Sequence, residues 1–368
     1  MSSDFRIVVL PGDGIGVEVM DACLAVLAPL QRRVGGFALA YEPHPGGAAA
    51  YRDTGVAFSD AAMQACERAD AILLGAMGLP DVRYPDGTEI APHLDLRDRL
   101  ELYAGVRPIR ALPGIPLPLV DPRAREIDFV LIREQTEGWF HWRFDASAAP
   151  PPTDDAVFDV GLVTRKGSER LFEFSFRLAA RRRDRNPRKG CVTVVDKANV
   201  HRGMAFFNRI FREVAKRHPD IAADHCYVDA MALNLIRKPW EYDVVPTENQ
   251  FGDILSDLAA GLVGGMGMAP SADLGDRHVL FQPAHGTAPD IAGRGLANPT
   301  AMLLSAAMML DWLGERHGAP RCVEAARLLE AAVDRVFAER RVLTPEFGGK
   351  DGTAAVAKAV IAAVEAGA

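Results

Sequence analysis

Three observations predict an α/β fold. Short apolar, β-branched runs recur along the chain, stretches with helical spacing lie between them, and 368 residues allow for about two domains. Hydrophobic residues make up 49% and charged residues 25%, a balance that excludes a mostly disordered chain, a collagen-like repeat and a coiled coil. With 42 Lys and Arg against 49 Asp and Glu, the net charge is −7 and no global basic field for nucleic acid exists.

The elements follow in order. Residues 5–10 (F-R-I-V-V-L) form a strand stopped by Pro11-Gly12, and 17–30 have helical spacing. Residues 59–68 and 94–102 read as helices around a second strand at 71–74, which ends in Gly75. A third strand is expected at 128–132. Residues 145–158, with Pro150, Pro151 and Pro152 among alanines, read as a surface loop or inter-subunit arm. A helix at 169–182 leads into the run R-R-R-D-R-N-P-R-K-G (181–190). Cations there complement the helix dipole, and no aromatic residues interleave to make a nucleic-acid patch. Strands at 191–195 and 279–281 and helices at 204–217, 254–263 and 323–341 complete the alternation. Residues 299–310 are the longest apolar candidate, too short for a membrane span, and read as a buried helix. The start of the chain carries no secretory pattern. Cys23, Cys66, Cys191, Cys226 and Cys322 form no C-x-x-C pair and read as small buried hydrophobes in a reducing cytoplasm.

Five motifs carry chemistry. Gly12-Asp13-Gly14-Ile15-Gly16 sits between a strand and a helix, where glycines let backbone approach a phosphate or turn tightly. Its G-x-G-x-G spacing is not the G-x-G-x-x-G of the common dinucleotide fold. Arg97, Arg107 and Arg133 lie on separate elements and could converge on a polycarboxylate, since guanidinium forks bind carboxylates bidentately. The bland alternative for Arg97 is a surface pair with Glu101. The strand 191–195 delivers Asp196-Lys197, either a proton-transfer lysine or a plain salt bridge. Asp229, then Asp253 and Asp257 four residues apart on one helical face, suit a hard cation such as Mg²⁺ or Mn²⁺. Asp253 could equally be a helix N-cap. The loop P-A-H-G-T-A-P-D-I-A-G (283–293), continuing to Asn298, suits backbone contact with a nucleotide, and Asp290 could accept both hydroxyls of an adenosine ribose.

Together these segments resemble the isocitrate and isopropylmalate dehydrogenase family of β-decarboxylating 2-hydroxy-acid dehydrogenases. The matching pieces are G-D-G-I-G (12–16), L-L-G-A (73–76), L-R-D-R-L-E-L-Y-A-G-V-R-P (96–108), R-E-Q-T-E-G (133–138), V-D-K-A-N-V (195–200), V-D-A-M (228–231), T-E-N-Q-F-G-D-I-L-S-D (247–257), G-G-M-G-M-A-P-S (264–271) and H-G-T-A-P-D-I-A-G (285–293). The resemblance implies a three-layer, isopropylmalate-dehydrogenase-like fold with two domains around a large mixed sheet, not a common Rossmann fold. A discontinuous cofactor domain (1–102 and 264–368) would flank a central domain (103–263) bearing the dimer interface and an arm at about 141–165. It implies NAD held by Ile15, His285, Gly286, Thr287, Ala288, Asp290, Ile291 and Asn298. NADP-using relatives carry Lys and Tyr where this chain has Asp290 and Ile291. It also implies Mg²⁺ or Mn²⁺ on Asp229, Asp253 and Asp257, and a carboxylate clamp of Arg97, Arg107 and Arg133. Lys197, shared across a homodimer, would relay the hydroxyl proton with Asp229 nearby. No nucleic-acid or membrane partner is implied.

Two positions depart from the family pattern. Phe140 stands where a tyrosine protonates the enol intermediate, so His141 or water would substitute, decarboxylation would be slow, or the substrate would need no such step. Gln282 replaces a glutamate before the cofactor loop. Ile90, His93 and Leu94, one and two turns before Arg97, are expected to read the group at the substrate's C3. Overall similarity ranks a 3-isopropylmalate-like 2-hydroxy dicarboxylate first. The polar His93 favours tartrate or D-malate as the alternative. A catalytically weakened binding paralogue, suggested by Phe140, is the reading from another class.

Overall fold

The computed structural model describes residues 3–145 and 147–368. The reading of the N-terminus therefore includes Met1 and Ser2, and that of the arm Ala146, which lie outside the described residues. Ten strands form one sheet: β1 (Ser3–Gly12), β2 (Phe37–Pro43), β3 (Ala71–Ala76), β4 (Ala104–Arg110), β5 (Asp128–Glu134), β6 (Cys191–Asp196), β7 (Ala222–Tyr227), β8 (Val244–Thr247), β9 (Pro270–Leu274) and β10 (Val279–Pro283). Their order is β2-β1-β3-β10-β9-β4-β5-β8-β6-β7. Pairing is parallel towards both edges and antiparallel at β10/β9, β9/β4 and β4/β5 in the middle.

Side chains alternate across a strand, so parity decides which face each residue serves. Ile7, Val9, Leu73, Phe281, Val106, Ile132 and Val194 point to one face and join a single continuous core. Helices Ile15–Val34, Arg165–Arg185, Arg202–Ala215 and Thr300–His317 cover it. The opposite face is divided. Val8, Leu10, Ile72, Leu74 and Leu280 pack under helices Asp60–Arg68 and Pro92–Arg99. Ile109, Phe129, Leu131, Val195 and Val245 pack under Val228–Arg237 and Asn249–Leu262 in a separate cluster. Helices on both faces of a mixed sheet make three layers, and both-sided burial explains the near-continuous apolar strands. Between the two clusters of the divided face, the same parity brings Arg107, Arg133, Asp273 and Gln282 together.

Each expected strand and helix is present, with shifted ends. Several elements were not anticipated, among them β2, β4, β7, β8 and β9 and helices Val228–Arg237 and Thr353–Ala366. Residues 147–158 carry no helix or strand and are mostly exposed. The basic run ends its helix as expected, and its charges are paired: Arg181 and Arg185 with Glu315, Arg182 with Asp243 and Asp128. All five cysteines are free, but Cys191 and Cys226 are half-buried rather than buried. Among the described residues no helix is long and apolar enough to cross a membrane.

Candidate active site

Arg97 stands on helix Pro92–Arg99, Arg107 on β4 and Arg133 on β5. All three are buried and line one cavity of ≈ 310 Å³. Buried guanidinium groups need partners. Arg97 Nε donates to Asp273 Oδ2 at 2.9 Å, not to Glu101, whose nearest cation is Lys166 at 3.6 Å. Arg133 Nε donates to Asn249 Oδ1 at 2.8 Å, and its Nη1 pairs with Asp253. Arg107 Nε is buried and has no hydrogen-bond partner among the described residues, and Asp273 is the first of the carboxylates that offset its charge. Burial lowers the affinity of Arg107 for its proton, and burial with Arg97 nearby pushes Arg133 down to about 10. The three guanidinium groups gather at one place in the cavity, where a carboxylate ligand could meet more than one of them.

Asp253 and Asp257 also line the cavity, Asp253 in contact with Arg133. Their helix begins at Asn249, earlier than expected, because Glu248 is the N-cap and accepts from Gln250 N (3.1 Å) and Phe251 N (3.3 Å). Asp253 is thus a residue one turn into the helix, not its cap. Burial and then the like charge of Asp253 raise the Asp257 carboxyl. A divalent cation between the two would relieve that repulsion, so this pair fits a metal. Asp229 does not join them: among the described residues no cluster of three metal-ligating side chains forms within one chain. Asp229 instead accepts from Lys197 Nζ at 2.7 Å. Neither residue lines the cavity, and the Asp229 side chain is 68% exposed. Asp196, the salt-bridge partner considered for Lys197, is occupied by Ala198 N, Asn208 and His225.

The glycine loop and the 285–291 loop touch. Gly14 has φ +55°, and a Cβ there would lie 2.1 Å from the Thr287 carbonyl. The Ile15 N–H donates to that same carbonyl at 2.8 Å while its side chain is buried in the core, so Ile15 supports the loop. Ala288 adopts φ +36°, a strained left-handed backbone. His285 Nδ1 donates to Gly286 O at 2.8 Å, which leaves Nε2 an acceptor, buried in the cavity wall and without a partner among the described residues. Asp290 is exposed, Ile291 is half-buried, and Asn298 lies beneath the loop, bonded to Glu346 and Thr300. The open loop, the space at Gly286 and the unpartnered His285 Nε2 fit a dinucleotide laid along this edge.

Around the cavity, Phe140 packs under Arg133, with Cζ 5.1 Å from the ring centroid. His141 does not line the cavity, so it is not placed to act in Phe140's stead. His93 and Leu94 do line it. Ile90 does not: it is fully buried with Ala48 and Ala57, because the helix starts at Pro92 and Ile90 precedes it. Glu89 and Ala91 take that stretch of wall. Gln282 donates to Asp273 at 2.8 Å. Asp273 itself was missed, although a carboxylate inside the apolar run P-S-A-D-L required a buried cation. It accepts from Arg97, Gln135 and Gln282, and Arg97 and Arg107 outweigh burial to hold its carboxyl below the usual range.

The chain is similar to known proteins over nearly its whole length. The family described as Isocitrate/isopropylmalate dehydrogenase matches residues 6–364. A 3-isopropylmalate/3-methylmalate dehydrogenase from Methanocaldococcus jannaschii is 40% identical, with 96% of this chain and 97% of the relative covered. A probable tartrate dehydrogenase/decarboxylase from Agrobacterium vitis is 37% identical over 98% of each chain. The crystal structure of isocitrate dehydrogenase from Methylococcus capsulatus superimposes with a TM-score of 0.84 at 36% identity, covering 98% of this chain and 99% of the other. The chain belongs to the isocitrate/isopropylmalate dehydrogenase family of β-decarboxylating dehydrogenases.

Proposed function

We propose that the protein catalyses the NAD- and divalent-metal-dependent oxidative decarboxylation of a 3-substituted (2R)-malate. The observation that carries this reading is one cavity lined both by three buried arginines and by the Asp253–Asp257 pair. Arg107, with its free Nε, and Arg97 and Arg133 clamp the carboxylate that leaves as CO₂. Asp253 and Asp257 would hold Mg²⁺ or Mn²⁺, which when bound would supply Lewis-acid polarisation of the substrate oxygens, and the 285–291 loop would hold NAD, which would supply the hydride acceptor. Lys197, paired with Asp229, relays the hydroxyl proton. Both lie outside the cavity of their own chain, so a second copy would supply them, together with the third metal-binding carboxylate. Asp290, exposed on the cofactor loop, favours NAD over NADP by repelling a 2′-phosphate.

Overall similarity places a 3-isopropylmalate-like substrate first. Glu89 and His93 in the wall favour tartrate or D-malate as the second reading. The test is a panel of 2-hydroxy dicarboxylates with Mn²⁺ and either NAD or NADP, following reduced cofactor and CO₂ separately. Both products with NAD are expected. Reduced cofactor without CO₂ would indicate uncoupled oxidation. Binding without any turnover would replace the enzyme reading by that of a binding paralogue, and a clear NADP preference would overturn the role of Asp290.

A further inference from the structure

Asp273 is a fully buried carboxylate to which the proposed chemistry gives no part. It stands on β9 and does not line the cavity. Arg97 Nε (2.9 Å) and Gln282 Nε2 (2.8 Å) donate to its Oδ2, and Gln135 Nε2 (3.0 Å) donates to its Oδ1. Gly105 is its register partner on β4, and a Cβ there would collide with Gln135 Nε2, so the missing side chain is what lets Gln135 reach the carboxylate. Burial opposes the charge of Asp273, and Arg97 and then Arg107 outweigh it, so the group is an anion held behind the arginines. Arg97 meets it through Nε, which leaves both Nη groups for the cavity that Arg97 lines.

The arginines therefore serve two anions, one resident and one brought by the ligand. Each anion weakens the hold of a shared guanidinium on the other. In β-decarboxylation the bond from C3 to the clamped carboxylate breaks. Its electron pair passes through C3 to the oxygen on C2, and CO₂ leaves uncharged. The clamped group thus loses its negative charge on the way to the transition state. Positive charge around it stabilises the starting carboxylate more than the transition state, which slows the step. An anion behind the arginines reduces that effect.

We propose that Asp273 is a positioning residue that shares Arg97 and Arg107 with the substrate's leaving carboxylate, loosening the clamp's hold on it and so favouring its release as CO₂. This rests on the reading of the cavity as a site for β-decarboxylation of a hydroxy dicarboxylate. The test compares the native protein, Asp273→Asn and the double variant Asp273→Asn with Gln282→Glu. Asparagine keeps the shape and still accepts from Arg97, and the buried, unpartnered Gln135 Oε1 can turn to meet the new amide. The double variant returns a carboxylate to the same contact from β10. Calorimetric titration of the full chain, with Mn²⁺, against 3-isopropylmalate, (2R)-malate and the tartrate isomers finds the ligand that the native protein binds most tightly. Asp273→Asn is expected to bind that ligand about tenfold more tightly. In a single turnover with NAD, its CO₂ release is expected to slow about 3- to 10-fold while NADH formation changes less than about twofold, because the carboxylate keeps its charge during hydride transfer. The double variant is expected to return affinity and CO₂ release to within about twofold of native. Weaker binding by Asp273→Asn overturns the proposal, as does equal slowing of NADH and CO₂, the mark of a merely structural role. Should the single variant not fold, the double variant decides: native affinity and CO₂ release support the proposal, and tighter binding or slower release with the carboxylate in place overturns it. Tighter binding by Asp273→Asn in a protein without turnover supports the shared clamp and removes the decarboxylation reading. Binding of none of these acids by the native protein overturns both.

Discussion

Phe140 packs against Arg133 but offers no proton. If the site decarboxylates, the step after CO₂ loss is the one this ring slows. A positioned acid typically contributes about 10²–10⁴-fold. Phe140→Tyr is therefore expected to raise formation of the final protonated keto acid by about 10²-fold while NADH and CO₂ formation in a single turnover change little. Single-turnover assays that follow the keto acid beside NADH and CO₂ check this, and an unchanged rate of keto-acid formation would show that protonation is already supplied. A second residue, Glu134 at the end of β5, reports on the cost of burial. Its carboxyl is fully buried and pushed up to about 7 by burial, although Thr136 N and Glu137 N donate to it. A carboxyl raised in the folded state binds its proton more tightly there than in the unfolded chain. Its favourable contribution is complete below the unfolded value of 4.5 and is lost as pH rises through about 7. The loss is on the order of 3 kcal/mol. Unfolding titrations of Glu134→Gln should show a flatter fall in stability between those pH values than the native protein does.

Asp273 ties four elements together. From β9 it accepts from Arg97 on helix Pro92–Arg99, from Gln282 on β10 and from Gln135 just beyond β5. Asp273→Asn would leave Arg97 and Arg107 buried without their shared counter-charge, a loss of about 3–5 kcal/mol. Urea unfolding would read it, and a loss below about 1 kcal/mol would show that the arginines find other partners. What the sequence reveals about these elements follows from the strength of their patterns. Residues 7–10 of β1 and all of β3 are apolar because helices cover both faces, and such runs are legible without a partner. β7, A-A-D-H-C-Y, is an edge strand with little burial and no apolar signal. β8 and β9 contain Pro246 and Pro270, which argue against a strand until pairing is seen. Among site residues the three arginines were legible because cations in apolar surroundings demand anions. Ile90 was misplaced because a helical register was extended past Pro92, where the helix starts.

At the scale of the molecule, the sheet brings one set of site residues together and keeps another apart. One face is a continuous core, and the divided face opens a cavity between its two clusters. Lys197 and Asp229 sit where β6 and β7 end, at the far edge of the sheet, joined to each other and outside that cavity. In a single chain β8 lies between β6 and β5, which carries Arg133. The proposal that Lys197 and Asp229 serve the cavity of another copy makes the exchange reciprocal by symmetry. Two inactive variants then complement one another. In a mixed dimer of Lys197→Met with Arg133→Met, the pocket of the Lys197→Met chain has its own Arg133 and receives an intact lysine from its partner. The other pocket carries both lesions. Random pairing makes half of the dimers mixed, each with one working site of two, so equal mixing should restore about one quarter of native activity. The assay is co-expression with two different tags and tandem purification, which isolates the mixed dimer and should show about half the native rate per dimer. Activity absent from purified mixed dimers, with dimer formation intact, would mean that Lys197 works within its own chain or not at all.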